Sequence, residues 1–239
     1  PSPRPLYPGL GASKDPHITY HNGAKTDFRG KNNTLYNFLS AYLVNLNVKT
    51  EDAGFHLNHG RLFVHGSFMT EAHVSTPKLR LSVWQFKIGE RLSIFVNGTC
   101  ADKSFKYGVH RKEKCDDAEI RTEYSSVIVE TMSWIIKLSV NHVYLWKYGP
   151  KRRIDISIKR KKDVPAHGII GQSYSREVKT GKLEEYPLYG TYRTEAMGEG
   201  SIEGDASQYE MKNPYDTKYM YSLFDKKTIG NAIDENYAT

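Results

Sequence analysis

Apolar and polar residues alternate with a period of two along most of this chain. In Val44-Asn45-Leu46-Asn47-Val48 the alternation is strict. Successive side chains of an extended backbone point to opposite faces, so this pattern predicts a half-buried strand. Leu79, Leu81 and Val83 against Arg80 and Ser82 read the same way, as do Leu92, Ile94 and Val96, and then Val127 and Val129. The densest block sets Trp134, Ile136, Leu138 and Val140 on one side and Ser133, Lys137 and Ser139 on the other. Ile154, Ile156 and Ile158 then alternate with Arg153, Asp155 and Ser157. Tyr36 to Leu39, Arg61 to Phe68 and Val143 to Trp146 add further extended stretches, separated by turn signals such as Gly60 and Lys147-Tyr148-Gly149-Pro150. No stretch carries a helical stripe longer than about two turns. The pattern predicts a mostly β fold: an antiparallel β-sandwich or barrel of about ten short strands with little helix.

The same pattern divides the chain. Residues 1–13 are rich in proline and have little to bury, so they read as a lead-in or linker, and Pro1-Ser2-Pro3-Arg4-Pro5 as the start of a processed chain. Residues 14–224 read as one β-domain and residues 225–239 as a C-terminal tail. Within the domain, residues 175–200 are polar and punctuated by Gly181, Pro187, Gly190, Gly198 and Gly200, while Tyr215, Tyr219, Tyr221 and Phe224 are expected to pack back on the sheet.

Composition adds 17 tyrosines, which favour strands over helices, and a net charge of +7. A basic balance predicts either plain solubility or attraction to an anionic partner. Acidic polysaccharide, an anionic lipid surface and nucleic acid are the candidates, and nucleic acid is not expected, for the sequence has no basic helix, zinc-finger spacing or aromatic RNA-binding motif. Two clusters, Lys151-Arg152-Arg153 and Lys159-Arg160-Lys161-Lys162, flank the Ile154–Ile158 strand. They read as protection of a sheet edge. Alternatively, Arg152, Arg153, Lys159, Arg160, Lys161 and Lys162 bind an acidic polysaccharide. No apolar run approaches the roughly 18 residues of a membrane-spanning helix.

Candidate chemistry is sparse. Cys100 and Cys115, the only two cysteines, bracket a polar, lysine-rich loop; they form either a disulfide or two unrelated thiols. Asn32-Asn33-Thr34 and Asn97-Gly98-Thr99 are glycosylation sequons at expected turns. His56 and His59 are spaced for zinc on a helix, but Gly54, Asn58 and Gly60 beside them predict a hairpin tip. Asp116-Asp117 and Asp102 read as solvated surface acids. No nucleophile elbow, phosphate loop or dinucleotide fingerprint occurs.

The most structured short stretch is Asp15-Pro16-His17-Ile18-Thr19-Tyr20-His21-Asn22-Gly23-Ala24-Lys25-Thr26-Asp27-Phe28-Arg29-Gly30. Ile18 and Tyr20 alternate with Thr19, Asn22-Gly23 predicts a type I′ hairpin turn, and Phe28 returns as a buried anchor ahead of Gly30. Asp15, His17 and Asp27 could converge as an acid–base or metal set. They read more simply as scaffold, with Asp15 accepting turn N–H groups and His17 satisfied inside. This stretch resembles the DPH…G…F.G opening of von Willebrand factor type D domains and of their cysteine-poor relatives, the root-cap-like proteins and the C-terminal region of inter-alpha-trypsin inhibitor heavy chains. Ala166-His167-Gly168-Ile169-Ile170-Gly171-Gln172-Ser173-Tyr174 resembles the HG(L/V)LGQ segment of that group, and Glu199 to Tyr209 its late EG…DY segment. The three islands span roughly residues 14–224.

The resemblance implies that Asp15, His17, Gly23, Asp27, Phe28, Gly30, His167, Gly168 and Gly171 are scaffold. Type D domains commonly bind calcium through acids and amides after the last glycine motif. Here Gln172 to Lys179 lacks clustered Asp and Asn, so no cofactor is expected. Together these readings predict a secreted, non-enzymatic structural or adhesive module of an extracellular matrix, coat or filament, with other extracellular proteins or further copies of itself as partners. An acidic-polysaccharide module is the alternative, and an enzyme on a type D-like scaffold the third class.

Overall fold

The computed structural model describes residues 11–13, 16–88, 91–101, 103–107, 110–140 and 153–217. Among them are β1 (Gly11–Ser13), β2 (His17–Thr19), β3 (Lys25–Asp27), β4 (Thr34–Ala41), β5 (Val44–Leu57), β6 (Leu62–Ser75), β7 (Leu79–Ile88), β8 (Arg91–Cys100) and β9 (Lys103–Tyr107). There follow β10 (Arg111–Lys114), β11 (Ala118–Thr122), β12 (Ser126–Thr131), β13 (Trp134–Val140), β14 (Ile154–Arg160), β15 (Ala166–His167), β16 (Gly190–Arg193) and β17 (Glu210–Met211). Among the described residues the remaining regular structure is three short 3₁₀ turns, Asn58–Gly60, Gly171–Tyr174 and Ala206–Tyr209. The protein is mostly β, as the alternation predicts, but its strands are more numerous and several are much longer than expected.

Two large antiparallel sheets face one another as a sandwich. One has the order β10-β11-β12-β13-β14-β1-β2-β3; the other runs β15-β4-β5-β6-β7-β8-β9, with β17 beside β4 and β16 lying parallel to β6. Their inner faces make one core. Leu46, Val48, Val74, Leu81, Val83, Ile94 and Val96 come from the second sheet; Ile120, Val129, Trp134, Ile136, Leu138, Ile156 and Ile158 come from the first. Each such side chain contributes roughly 1.5–3 kcal/mol on burial, and β-branched residues suit the pleat. The cross-strand register Trp134↔Arg160 through Val140↔Ile154 keeps Trp134, Ile136, Leu138 and Val140 of β13 and Ile154, Ile156 and Ile158 of β14 on the core side, while Ile135 lies on the outer face.

Four expectations change. Gly11–Ser13, placed by sequence in the lead-in, is a strand between β14 and β2, where Gly11 lies against the Ile156 carbonyl with no room for a side chain. The lysine-rich stretch between the cysteines is not a loop. It contains β9 and β10, which belong to different sheets. β14 is an interior strand, so Arg153 and the cluster Lys159-Arg160-Lys161-Lys162 beside it do not guard an edge; Lys151 and Arg152 lie outside the described residues. Finally, β5 and β6 run for 14 residues each, continuing past Glu51, Asp52 and Gly54 where the alternation stops.

That continuation forms a hairpin arm. β6 pairs with β7 only from Glu71 to Ser75, so the outer half of β5–β6 leaves the main sheet, with a register shift at Lys49/Thr50. The arm carries its own small core of Phe55, Leu62, Val64 and Phe68, closed by Tyr186 and Tyr192. β16 pairs along it from Gly190↔Leu62 to Arg193↔His65.

Candidate functional site

The N-terminal hairpin is built as a staple. Ile18, Tyr20 and Phe28 are each buried. The turn differs from the type I′ expectation: Gly23 alone takes positive φ (86°), Gly23 N–H donates to Tyr20 O, and Asn22 Oδ1 accepts from Ala24 N–H. A type I turn followed by a left-handed glycine fits this longer loop. His17 and Asp27 are cross-strand partners with Nδ1 2.5 Å from Oδ1, and Glu184 N–H donates to Asp27 Oδ2. The imidazole is half exposed rather than enclosed, while the carboxylate is buried. Both Asp27 oxygens are thus spent on fixing two chain segments. Asp15 lies outside the described residues. At Gly30, φ is 68° and the Thr50 side chain fills the space a Cβ would take.

The second signature forms a buried polar knot under β4. Gln172 is its hub. Its Nε2 donates to Gly168 O, Ile169 O and Tyr209 OH, and its Oε1 accepts from Arg176 and from Glu203 N–H. Gly168 has φ 97°, and a Cβ there would sit 2.6 Å from Asn37 Oδ1 and 2.8 Å from the Phe38 carbonyl. At Gly171 a Cβ would meet Leu39 Cδ1 at 2.7 Å. These close approaches let Ile169 and Ile170 reach the core. His167 is 2% exposed. Burial, reinforced by Arg176, holds its imidazole down at about 4. The Glu203 carboxylate, 3.7 Å from Nδ1, pulls the other way but beyond hydrogen-bond reach.

A pH dependence follows. The unfolded chain takes up this proton near 6.5 and the native chain near 4. The stabilisation is therefore complete above about pH 6.5 and is lost as pH falls toward 4. Allowing for Glu203, we expect a loss on the order of 2 kcal/mol. Urea unfolding across that window measures it, and His167→Asn should flatten the slope.

Cys100 and Cys115 form a disulfide that joins the end of β8, in one sheet, to the segment between β10 and β11, in the other. Of the sequons, Asn32 sits in an exposed turn, its Oδ1 accepting from Asp52 N–H. Asn97 is not at a turn but mid-strand in β8, opposite Ser82 and Lys106.

The basic residues do not form one patch. Arg153 is 3% exposed, with its guanidinium over the Phe68 ring and its N–H donating to Gln85 Oε1. Burial depresses its pKa. Arg160 pairs with Asp163, stacks on Tyr174 and donates to Tyr174 O. Lys161 is taken by Glu130. Lys159 and Lys162 are exposed, and Arg152 lies outside the described residues. The surrounding outer face is a mixed-sign lattice in which Lys112, Arg121 and Lys161 meet Glu119 and Glu130.

The outer face of the second sheet is polar but not open. Residues 214–216 cross it as a strap. Asn47 Nδ2 donates to Pro214 O and Asp216 O, Asn45 Nδ2 to Asp216 O, and Asn37 Nδ2 to both neighbouring Asn side chains. Tyr215 packs edge-on against His73, with its hydroxyl 2.5 Å from Ser82 Oγ. Asn45 and Asn47 are consequently buried, and β5 is covered on both faces here instead of one. Beside the strap, Glu71 is held down at about 2, mainly by its hydrogen bond from His73. Among the described residues no group of three or more His, Cys, Asp or Glu is placed to hold a metal.

Among the described residues the large exposed apolar side chains are Leu43, Tyr124, Met132, Leu183, Leu188 and Tyr189; Tyr124 and Leu183 stand singly, and the other four lie at the two ends of the long hairpin. At the arm tip, Leu188 is 76% and Tyr189 77% exposed. Asn58 Nδ2 donates to Pro187 O and Leu188 O, and Gly190 N–H donates to Arg61 O, so the pair is held firmly on the tip. At the opposite end, a cleft of ≈ 410 Å³ opens between the β4–β5 turn, the β12–β13 turn and the disulfide. Neither end is predicted by the alternation. An apolar pair set between Pro187 and Gly190 in a polar stretch was the one available signal.

The architecture defines a disulfide-linked β-sandwich with a projecting arm. Compared with known proteins, the chain matches no family model and no curated sequence.

Proposed function

We propose that this protein is a non-enzymatic structural or adhesive module of an extracellular assembly, of the von Willebrand type D-like kind that its three motifs resemble. The observation that carries this reading is the arm: a clamped, separately cored hairpin that presents Leu188 and Tyr189 to solvent. Large rigid side chains of this kind dominate contact energetics, and their exposure costs solubility unless a partner covers them. The disulfide supports an oxidising, secretory setting. The acidic-polysaccharide alternative loses support, because Arg153 is buried and Arg160 and Lys161 are already paired.

Sedimentation of the oxidised protein across a dilution series tests the reading. The average mass should rise with concentration. Leu188→Asp/Tyr189→Asp should weaken association by about thirtyfold or more, the factor for losing about 2 kcal/mol of contact energy, while leaving the melting temperature unchanged. A mass of one chain throughout the series would overturn self-assembly. Intact mass with and without glycosidase separately reports sugar on Asn32 or Asn97 and hence the secretory route.

A further inference from the structure

We propose that the partner for the arm tip is a second copy of this chain, joined head to tail, with Leu188 and Tyr189 entering the cleft beside the neighbour's disulfide. This rests on the assembly reading above and names its contact.

Position is the first argument. The cleft begins at Tyr42 and Leu43, where β5 starts, and the tip lies where β5 ends. Fourteen residues at about 3.3 Å each put the two roughly 45 Å apart along one strand. A chain therefore does not fill its own cleft with its own tip, but a copy displaced along that axis would.

Chemistry is the second argument. Leu43 and Met132, 42% and 49% exposed, give the cleft an apolar wall, with Tyr42 and Ala118 completing it. A cleft of ≈ 410 Å³ falls in the range, about 300–1,000 Å³, of pockets that enclose compact apolar groups.

Charge is the third. Glu119 and Glu130 on the cleft wall are matched by Lys112, Arg121 and Lys161. Asp116 is exposed and makes no ion pair among the described residues; Asp117 is turned inward, its Oδ2 accepting from Lys78 N–H and its Oδ1 buried. Lys114 is the cation on the same rim. Flanking the tip, Arg61 and Arg193 are exposed and make no ion pair among the described residues. Two uncommitted cations at one end are thus complemented by the exposed Asp116 carboxylate at the other, an arrangement that sets orientation as well as attraction. A contact between two different patches of one chain is heterologous, so its repetition gives an open filament rather than a closed dimer.

The test mixes two variants. A tip variant, Leu188→Asp/Tyr189→Asp, keeps its cleft; a cleft variant, Met132→Arg/Asp116→Arg, keeps its tip, and all four positions are exposed. Alone, each should sediment as one chain at concentrations where the unmodified protein grows. Mixed in equal amounts, they should form a species of two chains and nothing larger, since each supplies the half the other lacks. Arg61→Asp should recover binding to an Asp116→Arg partner, which separates loss of contact from loss of fold. A cleft variant that assembles like the unmodified protein, or a mixture that stays at one chain, would overturn the head-to-tail contact and leave self-assembly standing. An unmodified protein that never exceeds one chain would overturn both.

Discussion

Gly168→Ala is expected to lower the unfolding free energy by about 4 kcal/mol, measured by denaturant titration at neutral pH. Two terms add. A side chain at φ 97° costs roughly 1–2 kcal/mol through its clash with the local backbone. Forcing a methyl to within 2.6 Å of Asn37 Oδ1 and 2.8 Å of the Phe38 carbonyl adds about 1–3 kcal/mol of overpacking. The atoms it meets belong to β4 and to the Asn37–Asn45–Asn47 network, so they have little freedom to withdraw. Gly190→Ala, with φ 101° but nothing within 4 Å of the added carbon, should show the first term alone. A Gly168→Ala protein as stable as the parent would mean that the knot under β4 is looser than this packing implies.

The second large effect concerns the disulfide. Cys100→Ser/Cys115→Ser is expected to cost roughly 3 kcal/mol, the chain-entropy value for a closed loop of about 15 residues. The same midpoint shift should appear on adding reductant to the unmodified protein, and reductant should leave the double variant unmoved. Because the bond joins an end of one sheet to the other, its loss should raise amide exchange first in β9 and β10, ahead of β13 and β14.

The alternation along the chain made some elements legible and hid others for physical reasons. Trp134–Val140 and Ile154–Arg160 could be read residue by residue, because one face packs on the core and the other meets water. Asn45 and Asn47 looked solvent-facing for the same reason, yet a strap about 170 residues away in sequence covers them, and local pattern carries no sign of that. The outer half of β5 was missed because Glu51, Asp52 and Gly54 break the period. There the partner strand's hydrogen bonds decide the conformation. Arg153 sat at a polar position of its strand and is nevertheless buried, its backbone N–H and guanidinium engaged by Gln85 and Phe68 from the opposite sheet.

The tightly packed residues were more legible than the exposed apolar ones. Gly168 and Gly171 stood out because tight backbone approach admits few residue types, and His167 only through the motif that the stretch resembles. Leu188 and Tyr189 make no periodic pattern, since a turn of two apolar residues has no face. Met132 and Leu43, across the cleft, are single residues in turns between well-formed strands and carry no signal of their own.

The two terminal strands that follow one another across the sandwich, β9 and β10, have a further consequence. Among the described residues each is the last strand of its sheet, the place where another sheet would add to the ladder. Their sequences are Lys-Ser-Phe-Lys-Tyr and Arg-Lys-Glu-Lys, so Lys103, Lys106, Arg111, Lys112 and Lys114 line that rim. Like charge meeting like charge opposes rim-to-rim stacking of copies, and dissolved salt would weaken that opposition within a Debye length. Edge-to-edge association through these flanks is thus discouraged by charge, independently of what the ends of the molecule do.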